Sequence, residues 1–144
     1  MPVWVRVRVR RPNRPDEIEV SAKVNTGFTV GAIPVIRLPE SIAHQLGFDV
    51  RKGEFLPDTV DAAGRPLPIR QLGLVEVKAV TPDRESPWVR ALAVYTGGAS
   101  VLLNDYLIEA LLIEIVMPGS GFWRFRGEDR LRESATPEYF SKNC

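Results

Sequence analysis

Residues 3–10 read Val-Trp-Val-Arg-Val-Arg-Val-Arg, a period of two that sets Val3, Val5, Val7 and Val9 on one face and Trp4, Arg6, Arg8 and Arg10 on the other. That is a half-buried strand. Residues 11–16 carry the Asn and Pro chemistry of a chain reversal, and 18–24 alternate again, so a hairpin is expected that delivers Asn25 at its end. A short buried strand comes next, over 32–36. A helix is expected over 38–47, with Pro39 in its first turn, Leu38, Ile42 and Leu46 in one stripe, and Gly47 placed to end it. Strands at 55–60 and 67–72 flank a projecting reversal around Gly64, and a second hairpin pairs 74–80 with 88–95. An apolar triplet, Val101-Leu102-Leu103, precedes a helix capped by Asn104 or Asp105 and running to about Leu111. Strands at 113–117 and 122–125 close the domain around a Pro-Gly-Ser-Gly turn. From Arg126 the apolar period disappears, which predicts a loosely held charged tail over 126–144 with a short helix near 137–141.

This order predicts an all-β fold in one domain over residues 1–125, with one or two short helices. The 144 residues, 44% hydrophobic, suffice for one core and not for two. A formal net charge of +1 excludes a chain built as a whole to grip polyanions. The only concentrated basic feature is the series Arg6, Arg8, Arg10, Arg11 and Arg14. A ribbon of alternate arginines could contact phosphates, but no aromatic platform accompanies it beyond Trp4, so its ordinary reading is a solvated strand face and a nucleic-acid partner is not expected. Arginine outnumbers lysine fifteen to four, which leans toward a thermophilic or GC-rich source. Cys144 is the single cysteine and His44 the single histidine, so there is no intrachain disulfide and no ligand set for zinc, and no metal or cofactor is expected. No apolar run approaches a membrane span and the N-terminus does not resemble a signal peptide, giving a soluble cytoplasmic protein as the expectation.

The chemistry lies in Asn25-Thr26-Gly27-Phe28 and in the order of elements around it. A hairpin, an X-Thr-Gly loop, a strand, a Leu-Pro-Glu helix with Ala43 and Leu46-Gly47, a projecting hairpin, a further hairpin, an apolar triplet and a helix come in that order. Over roughly residues 16–125 this resembles one half of a pepsin-type enzyme, as in the retroviral-type aspartic proteases (retropepsins) and their cellular relatives. The resemblance implies a closed barrel, a flap centred on Gly64, and a catalytic loop at Asn25, Thr26 and Gly27. It also implies a two-fold homodimer, because one chain carries one loop and the chemistry uses two. In that chemistry two close carboxylates share a proton, one acting as base toward water while the other donates to the carbonyl oxygen.

Two positions depart from the family pattern. Asn25 stands where the family has Asp; a carboxamide keeps size and hydrogen-bonding capacity but cannot take a proton from water, and loss of a general base is worth about 10² to 10⁴ in rate. Leu103 stands where the family has glycine, which would crowd the approach to the loop. These readings give a catalytically lapsed, aspartic-protease-like homodimer retaining a cleft for an extended peptide or similar ligand. Phe28, Val30, Ile33 and Leu103 are expected in its pockets, with Asp61 and Gly64 at the flap. The alternative is an active aspartic endopeptidase, through a natural Asp at position 25 or a relocated acid. Asp61 and Asp105 are the candidates for that role, and their ordinary readings are a polar turn residue and a helix-start carboxylate.

Overall fold

The computed structural model describes residues 2–24, 31–56, 63–65 and 68–141. β1 (Trp4–Arg10) and β2 (Glu17–Val24) form the first hairpin, in a register that sets Val7 opposite Val20 and Val9 opposite Ile18 on the inner face. The same register places Arg8 opposite Glu19 and Arg10 opposite Glu17 on the outer face, so opposite charges meet across the pair. β5 (Arg70–Ala79) pairs with the other side of β1, Val9 against Val77 and Val7 against Ala79. β6 (Val89–Tyr95) returns antiparallel to β5. β3 (Val35–Arg37) lies parallel to β6 and antiparallel to β7 (Val101–Leu103), and β7 lies parallel to β2. The six strands close in the order β1-β2-β7-β3-β6-β5 and back to β1, with β4 (Glu54–Phe55) added to the Arg70 end of β5.

Inward residues of every barrel strand, among them Val7, Val9, Ala22, Ile36, Val77, Ala93 and Leu103, form one buried core. Helix α1 (Glu40–Gln45) adds Ile42 and Ala43, and helix α2 (Asp105–Ala110) adds Leu107 and Ile108. Pro39 is the N-cap of α1, with no side-chain cap bond, and Gly47 adopts φ +88°, the left-handed position that ends short helices. A second, smaller apolar cluster joins Val35, Ile69 and Val94 with Leu56 and Leu92. Among the described residues no helix is long and apolar enough to cross a membrane.

Three expectations change. The strands expected at 67–72 and 74–80 are one strand, β5, with its register shifted at Gln71/Gly73. Gly73 sits at φ +155°, and a Cβ there would meet Phe48 Cε1 at 3.0 Å, so the bulge is where Phe48 packs down on the bent strand. The strand expected at 32–36 begins only at Val35: Pro34 C=O still accepts from Leu92 N at 3.0 Å as the first rung against β6, but Ile33 C=O accepts from the Asn104 side chain instead of a strand.

The third change concerns the charged segment after Arg126. It packs along the barrel, with no helix at 137–141. β8 (Ile113–Met117), β9 (Phe122–Phe125) and β10 (Arg132–Glu133) form a separate three-stranded sheet. Beyond it, Ala135 N donates to Trp4 C=O at 2.8 Å, Tyr139 meets the Trp4 ring edge-on at 5.5 Å, and Phe140 N donates to Ala99 C=O at 2.7 Å. Glu138 accepts from Ser21 N and from Arg6. Trp4, on the outer face of β1, is therefore buried as well. Polar composition hides this because the segment is held by hydrogen bonds and charges more than by an apolar stripe. Arg132, only 5% exposed in its side chain, bonds Asp83 at 2.8 and 2.9 Å and Glu128 at 2.7 and 2.9 Å.

Candidate functional site

Asn25, Thr26, Gly27, Phe28 and Val30 lie outside the described residues, as does Asp61 on the projecting hairpin. What the structure describes is the frame around them. β2 carries the chain to Val24, whose N–H donates to Val3 C=O at 2.9 Å, and the chain resumes at Gly31 and enters β3. β7 lies between these two strands, Leu103 opposite both Val24 and Ile36. The strands entering and leaving the Asn25 segment are thus locked to one short central strand.

Leu103 is fully buried in the main core and presents no surface in the single chain. Its side chain points into the barrel, among the branched residues of neighbouring strands. Ile33 is 46% exposed beside the Asn25 segment.

Asn104 is the clamp of this frame. Its Oδ1 accepts from Val35 N at 2.8 Å and from Leu107 N at 3.0 Å, its Nδ2 donates to Ile33 C=O at 2.9 Å, and its own N–H donates to Val35 C=O at 3.1 Å. One buried carboxamide caps α2 and holds the exit of the Asn25 segment against it. The spacing before α2 gives the cap; the tie to Ile33 and Val35, some seventy positions away, leaves no trace in the pattern.

The projecting hairpin is seen at its base and near its tip. Leu56 N donates to Ile69 C=O at 2.8 Å and Phe55 opposes Arg70. Gly64, at φ +80° and exposed, has open space where a Cβ would be, as a projecting turn requires. A shallow recess of about 230 Å³ at the base is lined by Phe55, Pro68, Arg70, Tyr95, Thr96 and Gly97. Phe55 is 57% exposed and carries the Arg70 guanidinium over its face at 4.1 Å. A larger cavity of about 430 Å³ lies against Trp4, Pro82, Trp123 and Leu131, and includes no described residue of β3, β7 or the projecting hairpin.

Arg37 carries no signal in the sequence pattern. It leaves the end of β3 and donates from Nη2 to Ser100 C=O at 2.9 Å and to Ser100 Oγ at 3.1 Å. A Cβ on Gly98 would stand 2.3 Å from its Cζ, so any side chain there would push the guanidinium off its present place. No carboxylate pairs with Arg37 among the described residues, and burial pushes its pKa below the ordinary value. Asp105, the candidate relocated acid, stands in the first turn of α2 beside a recess with Ile108, Glu109, Ile113 and Arg126; its Oδ1 is buried with no partner among the described residues. Among the described residues no cluster of His, Cys, Asp and Glu could hold a metal ion.

No family model matches the sequence, and no curated protein matches it. Solved structures do. The chain is similar to the retroviral protease-like domain of Ddi1 from Leishmania major, at 11% identity and a TM-score of 0.51, over 99% of this chain and 97% of that one. It also matches a retropepsin-like aspartic protease from Rickettsia conorii, at 17% identity and a TM-score of 0.45, over 80% and 78% of the two chains. At 11% identity the likeness to the Ddi1 domain speaks for architecture alone. With its six-stranded closed barrel, its two short helices and the short strand between the entry and exit of the Asn25 segment, this chain has the retropepsin-like fold.

Proposed function

We propose that this chain is a catalytically lapsed relative of the aspartic proteases, a cytoplasmic homodimer that holds an extended peptide between two Asn25 segments and beneath two Gly64 hairpins. The observation that carries the reading is that Asn25 follows β2 in the sequence of a chain with the retropepsin-like fold, at the position where the family resemblance puts an acid. A carboxamide donates and accepts hydrogen bonds but has no protonation equilibrium near neutral pH, so it binds a backbone without activating water. The exposed Phe55, the neighbouring recess and Ile33 offer apolar contacts next to main-chain groups, the combination an extended peptide needs. The arginine series of β1 speaks against the nucleic-acid alternative: Arg6, Arg8 and Arg10 are each paired with glutamates, which leaves little unbalanced charge on that ribbon.

Two measurements test the reading together. Sedimentation equilibrium is expected to show a dimer; a monomer at high micromolar concentration would remove the two-loop cleft. Wild type is expected to leave denatured casein intact between about pH 3 and 7, and Asn25→Asp to gain pepstatin-sensitive cleavage, because two carboxylates would again share a proton. Pepstatin-sensitive cleavage by the wild type would overturn the lapse. Silence of the Asn25→Asp variant in a confirmed dimer would mean the frame around Leu103 and Asn104 no longer supports the chemistry.

A further inference from the structure

The arginine series divides in the folded chain. Arg6, Arg8 and Arg10 meet glutamates, whereas the side chains of Arg11 and Arg14 form no hydrogen bond and no ion pair among the described residues. Their placement is nevertheless specific. Arg14 N donates to Arg11 C=O at 3.2 Å, closing a turn with Asn13 at φ +64°, so the two residues leave the turn three positions apart. Both reach the end of α1. A Cβ built on Gly47 would lie 3.3 Å from Arg14 Nη1 and 3.4 Å from Arg11 Nη1, which brings both guanidinium groups to one point on the surface. Arg11 is held there by the Phe48 ring, 4.4 Å from its Cζ.

Two cations that converge with no counter-ion among the described residues repel each other, and the neighbouring strand shows that this chain supplies glutamates where it neutralises arginines. Partial burial and the Arg14 charge both press on Arg11 and lower its pKa, burial being the larger cause. Gly47 leaves room at the meeting point because it has no side chain, and its left-handed backbone keeps other residues out. The unused N–H donors of two guanidinium forks suit a tetrahedral oxyanion, which accepts at several oxygens at once.

We propose that the Arg11–Arg14 turn, with Gly47 and Phe48, is a binding site for a phosphate-class oxyanion, either free or as the monoester of a small molecule. It does not depend on the proposed peptide cleft. The test is a titration of the full chain with inorganic phosphate, and in a second arm with O-phosphoserine, at ionic strength matched with sodium chloride, following the arginine side-chain N–H signals by NMR. A saturable shift of the Arg11 signal at millimolar phosphate is expected, weakened roughly tenfold in Arg14→Gln by loss of charge-assisted bonds. The double variant Arg11→Gln/Arg14→Gln should not saturate, and Arg90→Gln, an exposed arginine elsewhere, should bind as the wild type does. Saturation by phosphate alone assigns the site to the free ion, and saturation in both arms extends it to monoesters. A response that never saturates, that chloride reproduces, or that survives in Arg14→Gln unchanged would overturn the proposal; Arg14 is exposed, so its replacement leaves the fold intact.

Discussion

A single buried carboxamide, Asn104, joins the exit of the Asn25 segment to α2, and its replacement should be costly. Asn104→Ala removes a helix cap, worth about 1 kcal/mol, strands the buried Val35 N–H, worth about 1–3 kcal/mol, and takes the donor from the partly buried Ile33 C=O. A loss of about 3–5 kcal/mol in urea unfolding is the expected outcome; a loss below about 1 kcal/mol would mean these bonds are replaced by water. At this scale the sequence is legible only where chemistry is local. Asn104 or Asp105 reads as a cap because a helix starts at once, but nothing in the order of residues says that it is Asn104 or that its amide reaches Ile33. Arg37 is opaque for the same reason: the carbonyl and hydroxyl it bonds belong to Ser100. Leu103 is opaque too: its place in an apolar triplet does not say that the barrel turns this side chain into the main core.

Among elements, alternation and turn chemistry carry the hairpins and both helices, and fail where a strand is bent or a segment is fastened by charge. Gly73 breaks the alternation of β5, and so one bulged strand reads as two. The segment after Phe125 lacks an apolar period, yet Arg132 binds it to the 81–87 turn through Asp83, and Glu128 of the same segment, bonded to Arg132, reaches Arg84 of that turn at 3.3 Å. This network predicts a pH dependence. Hydrogen bonding to Arg132 is the main cause that holds Glu128 at about 2, against an ordinary 4.5, and Asp83 at about 2, against 3.8. A carboxylate with a depressed folded-state pKa stabilises the fold above its unfolded value and loses that contribution as pH falls toward the folded value. Glu128→Gln should therefore unfold at lower urea than wild type at pH 7, with the gap closing between about pH 5 and pH 2. A gap that is constant over this range would show that the charge on Glu128 is not what fastens the segment.

For the whole molecule, the fold class is legible in the order of elements and the closed barrel in the family resemblance that order carries, while the choice of strands that close the ring is not. Pairing between β1 and β5 brings together residues about seventy positions apart, and neither strand carries a signal naming the other. The balance of charge on the outer face of β1 is only partly legible, because Glu19 lies across the same hairpin whereas Glu76, Glu85 and Glu138 come from remote stretches of the chain.

Closure of the ring through β1 also determines how the molecule can open. Over Val7–Arg10 the strand is flanked on both sides, by β2 and by β5, so its amide protons are released to solvent only when one of these seams parts, whereas β4 and β8 can fray alone. In native-state deuterium exchange the amides of β1 should be among the last to exchange, with opening free energies equal to that of global unfolding, and those of β4 among the first. Early exchange throughout β1 would mean that the barrel breathes at its own keystone.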